Sequence, residues 1–250
     1  MSGKRFFVNK ISDGRAVVSG GDFHHITAVL RKKTGDKVVI FNYEHGEFEA
    51  RIEDIIKKNN TLIIVVEKKI RERENFKNII RAYISVVKNE SMNFIIEKMT
   101  ELGVDEINPV ITRRCAIKLK DTGKKARRWE KIAYSAVKQS GRLSFPCMNP
   151  VITGVENLKD PEAGEKRFLV WEKEENKFLI DEIMKLPENK DKVSFFIGPE
   201  GGFEDDEASL LAAKGFEPVS IGHNVLRVET AAVLAGGVIT QILRRNKWKK

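Results

Sequence analysis

Two cysteines in 250 residues are too few for a disulfide framework, and Cys115 and Cys147 share no metal-ligand spacing with the four histidines or with the carboxylates. Long apolar runs are missing as well. The longest charge-free segment near the C-terminus, Thr230 to Leu243, is too short to span a bilayer and reads as a buried helix. Met1 to Lys10 holds Lys4 and Arg5 but no long apolar stretch, so no secretory signal is expected and the expected location is cytoplasmic. Internal repeats and low-complexity tracts are absent. No Gly-Lys-Ser/Thr follows a glycine-rich loop, which excludes a phosphate-binding P-loop. A dinucleotide fold carries its glycine motif after the first strand. Here the glycine loops come last.

What remains has the composition of an ordinary globular protein, 41% hydrophobic and 32% charged. Its net charge of +9 is unevenly spread. Between Arg113 and Arg142 eleven basic residues face only Asp121 and Glu130, so this window carries as much net charge as the whole chain. A run of that density is either a solvated helix face or a surface for a phosphate backbone, whose affinity falls as salt rises. It lacks the apolar face of a membrane-surface helix. Nucleic acid is the expected partner.

Residues 1–70 read as mainly β. Phe6-Phe7-Val8, Ala16-Val17-Val18, Lys37 to Tyr43, Glu47 to Ile55 and Leu62 to Glu67 are short runs rich in Val, Ile and Phe, separated by turn material such as Ser12-Asp13-Gly14. One helix interrupts them, with Asp22 as its expected cap and Phe23, Ile26, Val29 and Leu30 on one face. Such a pattern predicts a small barrel. The charged stretch ending this region places a linker at residues 71–75. Residues 76–250 then alternate strand and helix, which predicts a parallel sheet covered on both faces. The fold class is therefore α/β, a β domain followed by an α/β domain.

Two loops in the second region carry the chemistry. Gly198-Pro199-Glu200-Gly201-Gly202 follows the strand Val193 to Ile197. Ile221-Gly222-His223-Asn224-Val225-Leu226-Arg227-Val228-Glu229-Thr230-Ala231 follows Val219 to Ile221. Ligands of open α/β sheets bind at the carboxyl ends of strands, where glycine permits close approach to the backbone. Glu204, Asp205, Asp206 and Glu207 open the helix after the first loop and would repel a phosphate, so a neutral or cationic ligand suits this end. The bland reading of the second loop is that Glu229 and Thr230 cap a buried helix and Arg227 pairs with Glu229.

Phe196-Ile197-Gly198-Pro199-Glu200-Gly201-Gly202-Phe203, followed by Ile221-Gly222 and Val225-Leu226-Arg227-Val228-Glu229-Thr230-Ala231, resembles the knotted SPOUT-class methyltransferases, and within them the RsmE-like family. His24-His25 with Val29-Leu30-Arg31, Glu97-Lys98 with Thr100-Glu101-Leu102-Gly103-Val104, Pro109 with Arg114-Cys115, and Trp129 through Gln139-Ser140-Gly141-Arg142 agree in order. The resemblance implies an N-terminal PUA-like RNA-binding β-barrel and a C-terminal trefoil-knot domain that binds S-adenosylmethionine and methylates N3 of a uridine in small-subunit ribosomal RNA. It places the cofactor among Leu169, Trp171, Gly198, Pro199, Glu200, Gly201, Gly202, Ile221, Gly222, Leu226, Thr230 and Ala231. Arg227 and Glu229 become the catalytic pair, and His24, Arg31, Arg114, Lys118, Arg128 and Arg142 the expected RNA contacts. It also implies a homodimer through the knot domain, with the small-residue stretch Ala235-Gly236-Gly237 at the interface, and an assembled ribosomal subunit as substrate. No metal is expected.

The chain departs from the family pattern at Ser91, where a basic residue is usual, and at Lys138, where the family has glutamate. Both lie outside the cofactor loops and bear on how RNA is gripped. Two other readings stand beside base methylation: a ribose hydroxyl as methyl acceptor, and a catalytically silent RNA-binding or ribosome-assembly factor.

Overall fold

A computed structural model describes residues 5–73, 76–116, 122–187 and 192–245. The chain divides into two compact units, Met1–Asn75 with Val137–Ser144, and Phe76–Ala136 with Phe145–Lys250.

The first unit holds β1 (Arg5–Phe7), β2 (Ile11–Ser12), β3 (Arg15–Ser19), the short helix α1 (Gly20–His24), β4 (Lys37–Asn42), β5 (Gly46–Ile56) and β6 (Thr61–Arg71). Their order in the sheet is β1-β4-β5-β6-β3-β2, with β1 parallel to β4 and every other pair antiparallel. Asp13 and Gly14 both take positive φ and make the two-residue hairpin between β2 and β3, the conformation that an Asp-Gly pair favours. Alternate residues of the longer strands, such as Phe6, Val18, Ile40, Ile52 and Ile64, enter one cluster with Phe23 and Ile26. That period of two is what gives the strands a common interior.

Three details differ from the pattern in the sequence. Ser19, not Asp22, precedes the first helical residue; Asp22 lies inside the first turn and its carboxylate pairs with Lys138. The helix then widens into a π turn over His25–Val29. Lastly, β6 runs on to Arg71, and Val137–Ser144 cluster with this unit. Buried Arg5 donates to the carbonyls of Val137 (3.4 Å) and Arg142 (3.3 Å), and Arg71 donates to that of Gly141. These charge-assisted bonds to backbone tie a sequence-distant segment to the β unit.

The second unit holds β7 (Ile79–Ser85), α2 (Asn89–Leu102), β8 (Glu106–Ile111), most of α3 (Thr122–Ser140), β9 (Cys147–Met148), β10 (Ile152–Thr153), β11 (Glu165–Val170), α4 (Leu179–Met184), β12 (Lys192–Ile197), α5 (Asp205–Ala213), β13 (Phe216–Val219) and α6 (Val228–Arg244). The sheet is wholly parallel, in the order β10-β8-β7-β12-β11-β13, with β9 also on β8. Val193, Phe195 and Ile197 of β12 join the cluster shared with α2 and α6, whereas Phe196 joins Leu211 of α5 on the other face. Burial on both faces explains the near-continuous apolar runs. The last strand lies a few residues before its expected place because Glu217 and Pro218 interrupt its hydrophobic run; Glu217 pairs with Lys166 and Lys177 at the sheet edge.

Gly103 ends α2 in a left-handed conformation, with its amide bonded to Thr100 and that of Val104 to Met99. Helix α6 packs closely on α2, and a Cβ on Gly236 would stand 3.0 Å from Met99. The small residues Ala235 and Gly236 are thus spent on contact within the chain. Past β13, Val219 accepts from the Trp171 amide (3.0 Å), and Ser220 donates to Lys177 (2.7 Å) and accepts from Leu179 (2.8 Å). The strand end therefore lies between two limbs of the Trp171–Leu179 loop before the chain turns into α6.

Candidate functional site

Strands β12, β11 and β13 are neighbours, so the loops leaving their carboxyl ends lie side by side. The loop after β12 is held from several directions. A Cβ on Gly198 would come within 2.7 Å of the Phe203 ring, which packs edge-on against Phe196 at 5.3 Å. Gly202 has φ +67°, and its amide closes a turn on the Pro199 carbonyl at 2.9 Å. From the end of β8, Arg114 donates to the Gly201 carbonyl at 3.0 Å, and the Arg113 amide donates to buried Glu207 at 2.9 Å. Glu207 also accepts from the Glu204 amide at 3.2 Å, fastening the start of α5. Glu200 is exposed.

The loop after β13 is barer. Gly222 has φ +149° and nothing within 4 Å of where a Cβ would stand. Ser220 donates to the Gly222 carbonyl at 3.1 Å, and His223 meets Phe178 edge-on at 5.6 Å. Ile221 and Leu226 pack against the main core, but Val225 between them is 84% exposed. Ala231 is buried and Thr230 exposed. After β11, the Leu169 side chain is fully buried in the sheet, so only its backbone faces outward chemistry. Trp171 packs against the same cluster as Leu169, and its buried indole Nε1 has no hydrogen-bond partner among the described residues.

At the head of α6 the electrostatics are specific. Arg227 is exposed and, among the described residues, has no ion-pair partner; in particular it is not paired with Glu229. Glu229 accepts from Ser91 Oγ at 2.8 Å. Its own backbone N–H and then Ser91 hold its carboxyl below the usual carboxylate range against the opposing effect of desolvation, with the charge of Arg227 as the smallest contribution. The carboxylate is thus firmly ionised at neutral pH. Ser91 sits in the first turn of α2, 138 residues away in sequence, and only the fold brings it to Glu229. Nothing in the local sequence marks it as a partner.

The basic run lies largely on α3. Trp129, Ala133 and Ala136 form its buried side, while Lys124, Arg127, Arg128 and Lys131, with Glu130 and Tyr134, line an open depression of about 830 Å³. Of the expected RNA contacts, Arg128 lies there and Arg114 lies on the glycine loop. His24, Arg31 and Arg142 belong to the first unit. His24 is exposed at the end of α1, Arg31 is exposed at φ +53°, and Arg142 Nε donates to Ser144 at 3.2 Å. Lys118 lies outside the described residues. Lys138 pairs with Asp22 and stands over the Phe6 ring at 5.1 Å, both in the first unit. Among the described residues no cluster of His, Cys, Asp or Glu would hold a metal, and no helix is long and apolar enough to cross a membrane.

A family model described as an RNA methyltransferase domain matches residues 72–240, and one described as an RNA methyltransferase PUA domain matches residues 18–65. The chain is 32% identical over 239 residues to ribosomal RNA small subunit methyltransferase E of Rickettsia conorii, covering 94% of each chain. It is 30% identical to the protein of that name from Bacillus subtilis, covering 91% of each. Among solved structures, a methyltransferase of Legionella pneumophila in complex with S-adenosylmethionine is 27% identical with a TM-score of 0.80, over 98% of both chains. The ribosomal RNA small subunit methyltransferase E of Neisseria gonorrhoeae, bound to S-adenosylmethionine, shares the fold at 24% identity and TM-score 0.82, over 96% of this chain and 97% of that one. The architecture is therefore a PUA-type unit and a knotted SPOUT methyltransferase domain.

Proposed function

Because the chain belongs to the ribosomal RNA small subunit methyltransferase E family, we propose that it methylates N3 of a uridine in small-subunit ribosomal RNA with S-adenosylmethionine as donor. The observation that carries this reading is the head of α6, where exposed Arg227 stands beside an ionised, hydrogen-bonded Glu229 at the mouth of the glycine loops.

The residues fit the cofactor. Trp171 Nε1, just past the end of β11, is a buried donor without a partner among the described residues, and the backbone at Gly222 is open to a ligand. The Gly198–Gly202 loop offers Glu200 and no phosphate-binding lysine, which suits a cationic group. When bound, S-adenosylmethionine supplies an electrophilic methyl group beside its sulfonium. Leu169, Trp171, Gly198, Pro199, Glu200, Gly201, Gly202, Ile221, Gly222, Leu226, Thr230 and Ala231 are the residues proposed to hold it, chiefly through backbone groups.

Uridine N3 carries a proton and is a weak nucleophile while neutral. Arg227 stabilises negative charge on the uracil oxygens as N3 loses that proton. A carboxylate held low by its own backbone N–H and by Ser91 is a weak proton acceptor, so Glu229 acts chiefly through its negative charge near Arg227, with solvent receiving the proton. The Watson–Crick edge must be reached, so the uridine is unpaired or flipped. Arg114, Arg128, Arg142, His24 and Arg31 are proposed to hold the RNA, and the reaction is placed in the cytoplasm on an assembled subunit. Exposed Phe94, Ile180, Met184 and Leu234 of α2, α4 and α6 support a homodimer through the knotted unit.

Purified protein, labelled S-adenosylmethionine and small subunits lacking the modification test the reading, with the labelled nucleoside identified by mass. Label in 3-methyluridine is expected. Label in a 2′-O-methyl nucleoside would replace base by ribose methylation, and cofactor binding without label would remove this RNA as substrate.

A further inference from the structure

The exposed side of α3 is not purely cationic. Lys124, Arg127, Arg128 and Lys131 follow a helical spacing, and Tyr134 continues the row one turn beyond Lys131 into the same depression. Its ring is stacked on Phe145, with centroids 5.2 Å apart and planes only 4° from parallel. Both rings belong to the second unit and are half-buried. A phosphate backbone needs cations alone. A flat ring held by a second ring offers something different, a rigid π surface that loses little entropy when a base lies on it.

We infer that this face is a stacking platform for an unpaired base of single-stranded RNA: Tyr134 lies against the base, Phe145 fixes the Tyr134 ring, and Lys124, Arg127, Arg128 and Lys131 hold the flanking phosphates. The depression, at about 830 Å³, has the size of a small-ligand pocket and accommodates a nucleotide. Among the described residues Glu130 is the one acidic side chain lining it, and it disfavours a polyanion without a base to stack. A duplex keeps its bases in the helix and gains only the phosphate contacts, so the platform selects single strands. The inference rests on the proposed action on RNA and adds where and how an unpaired stretch is gripped.

The test is fluorescence anisotropy of the full chain with a labelled uridine-rich 12-nucleotide RNA and with a blunt RNA duplex of equal length, each at several salt concentrations. Tyr134→Leu keeps an apolar contact for Phe145 and removes the flat ring; circular dichroism checks that it folds. It is expected to weaken single-strand binding about 5- to 100-fold, leaving duplex binding and the salt slope unchanged. Tyr134→Phe should bind as the natural chain does. Lys131→Ala should instead lower the salt slope by about 0.7. Tyr134→Trp should show fluorescence quenched by the single strand. Unchanged affinity in Tyr134→Leu, or an equal loss for single strand and duplex, overturns the platform. Methyl transfer to subunits is measured in parallel. Transfer with a silent Tyr134→Leu sinks the platform alone, whereas no transfer with a selective Tyr134→Leu defect keeps the platform and sinks the proposed reaction.

Discussion

The two glycine loops at the carboxyl edge of the parallel sheet are built for opposite purposes. The Gly198–Gly202 loop is fixed on every side that the structure shows: Phe203 beneath Gly198, the Arg114 guanidinium on the Gly201 carbonyl, and the Glu204–Glu207 cap beyond. The Ile221–Arg227 loop is held more lightly, by Ile221 and Leu226 in the core, the Ser220–Gly222 bond and the edge-on His223–Phe178 contact, and it exposes Val225 and Arg227. A pocket for a rigid ligand part benefits from walls that do not move, because pre-organised contacts cost no ordering on binding. A group that must meet a large incoming substrate benefits from exposure. We propose that the clamped loop is a fixed wall for the cofactor, and that the barer loop lends it the open backbone at Gly222 while Arg227, at the far end, meets the substrate.

Arg227→Ala tests that division most severely. It should lower kcat by about 100- to 1,000-fold, the usual cost of losing a group that meets developing charge, with S-adenosylmethionine affinity by calorimetry nearly unchanged. An equal loss of cofactor affinity would erase the distinction between the loops. Next, Gly198→Ala drives a methyl group toward Phe203 and should destabilise the protein by about 1–3 kcal/mol, read as a lower Tm. A Tm equal to that of the natural chain would show the first loop to be as yielding as the second.

Ser91→Ala gives a smaller and pH-dependent effect. The Glu229 carboxyl is depressed in the folded chain, so its stabilisation is present above the ordinary carboxylate range and is lost as pH falls through the folded value. The variant should therefore have a slightly lower Tm at pH 7, and the difference should close as the pH drops below the ordinary carboxylate range. A gap that persists in acid would mean that Ser91 acts through packing and not through the charge. The smallest change is expected for Val225→Ser, within about 0.5 kcal/mol in stability, because an exposed side chain has little to lose. A large drop would show that the second loop is covered in solution.

The period of apolar residues made most of the elements legible. Val193 to Ile197 appears as β12, within a residue of its ends, and Thr230 to Leu243 lies within α6. Two-residue strands such as β2, β9 and β10 are too short to show a period, and β13 is masked by Glu217 and Pro218. Of the site, the glycine loops and Arg227 were readable because backbone conformation and charge are local properties. Ser91 was readable only as a departure from a family pattern, since its bond to Glu229 depends on the packing of α2 against α6. The same holds for Lys138, whose partner Asp22 is 116 residues away.

The membership of Val137–Ser144 in the first unit bears on how the chain is made. Domains usually fold in the order in which they leave the ribosome. Here the β unit stays incomplete until Ser144 has emerged, because Arg5 and Arg71 find their carbonyl acceptors only then. By that moment β7, α2 and β8 are already outside. Their remaining sheet partners, β12 beside β7 and β9 and β10 beside β8, are still to be synthesised. The two units therefore mature concurrently during translation, and a fragment ending at Asn75 should be less stable than the same strands in the full chain.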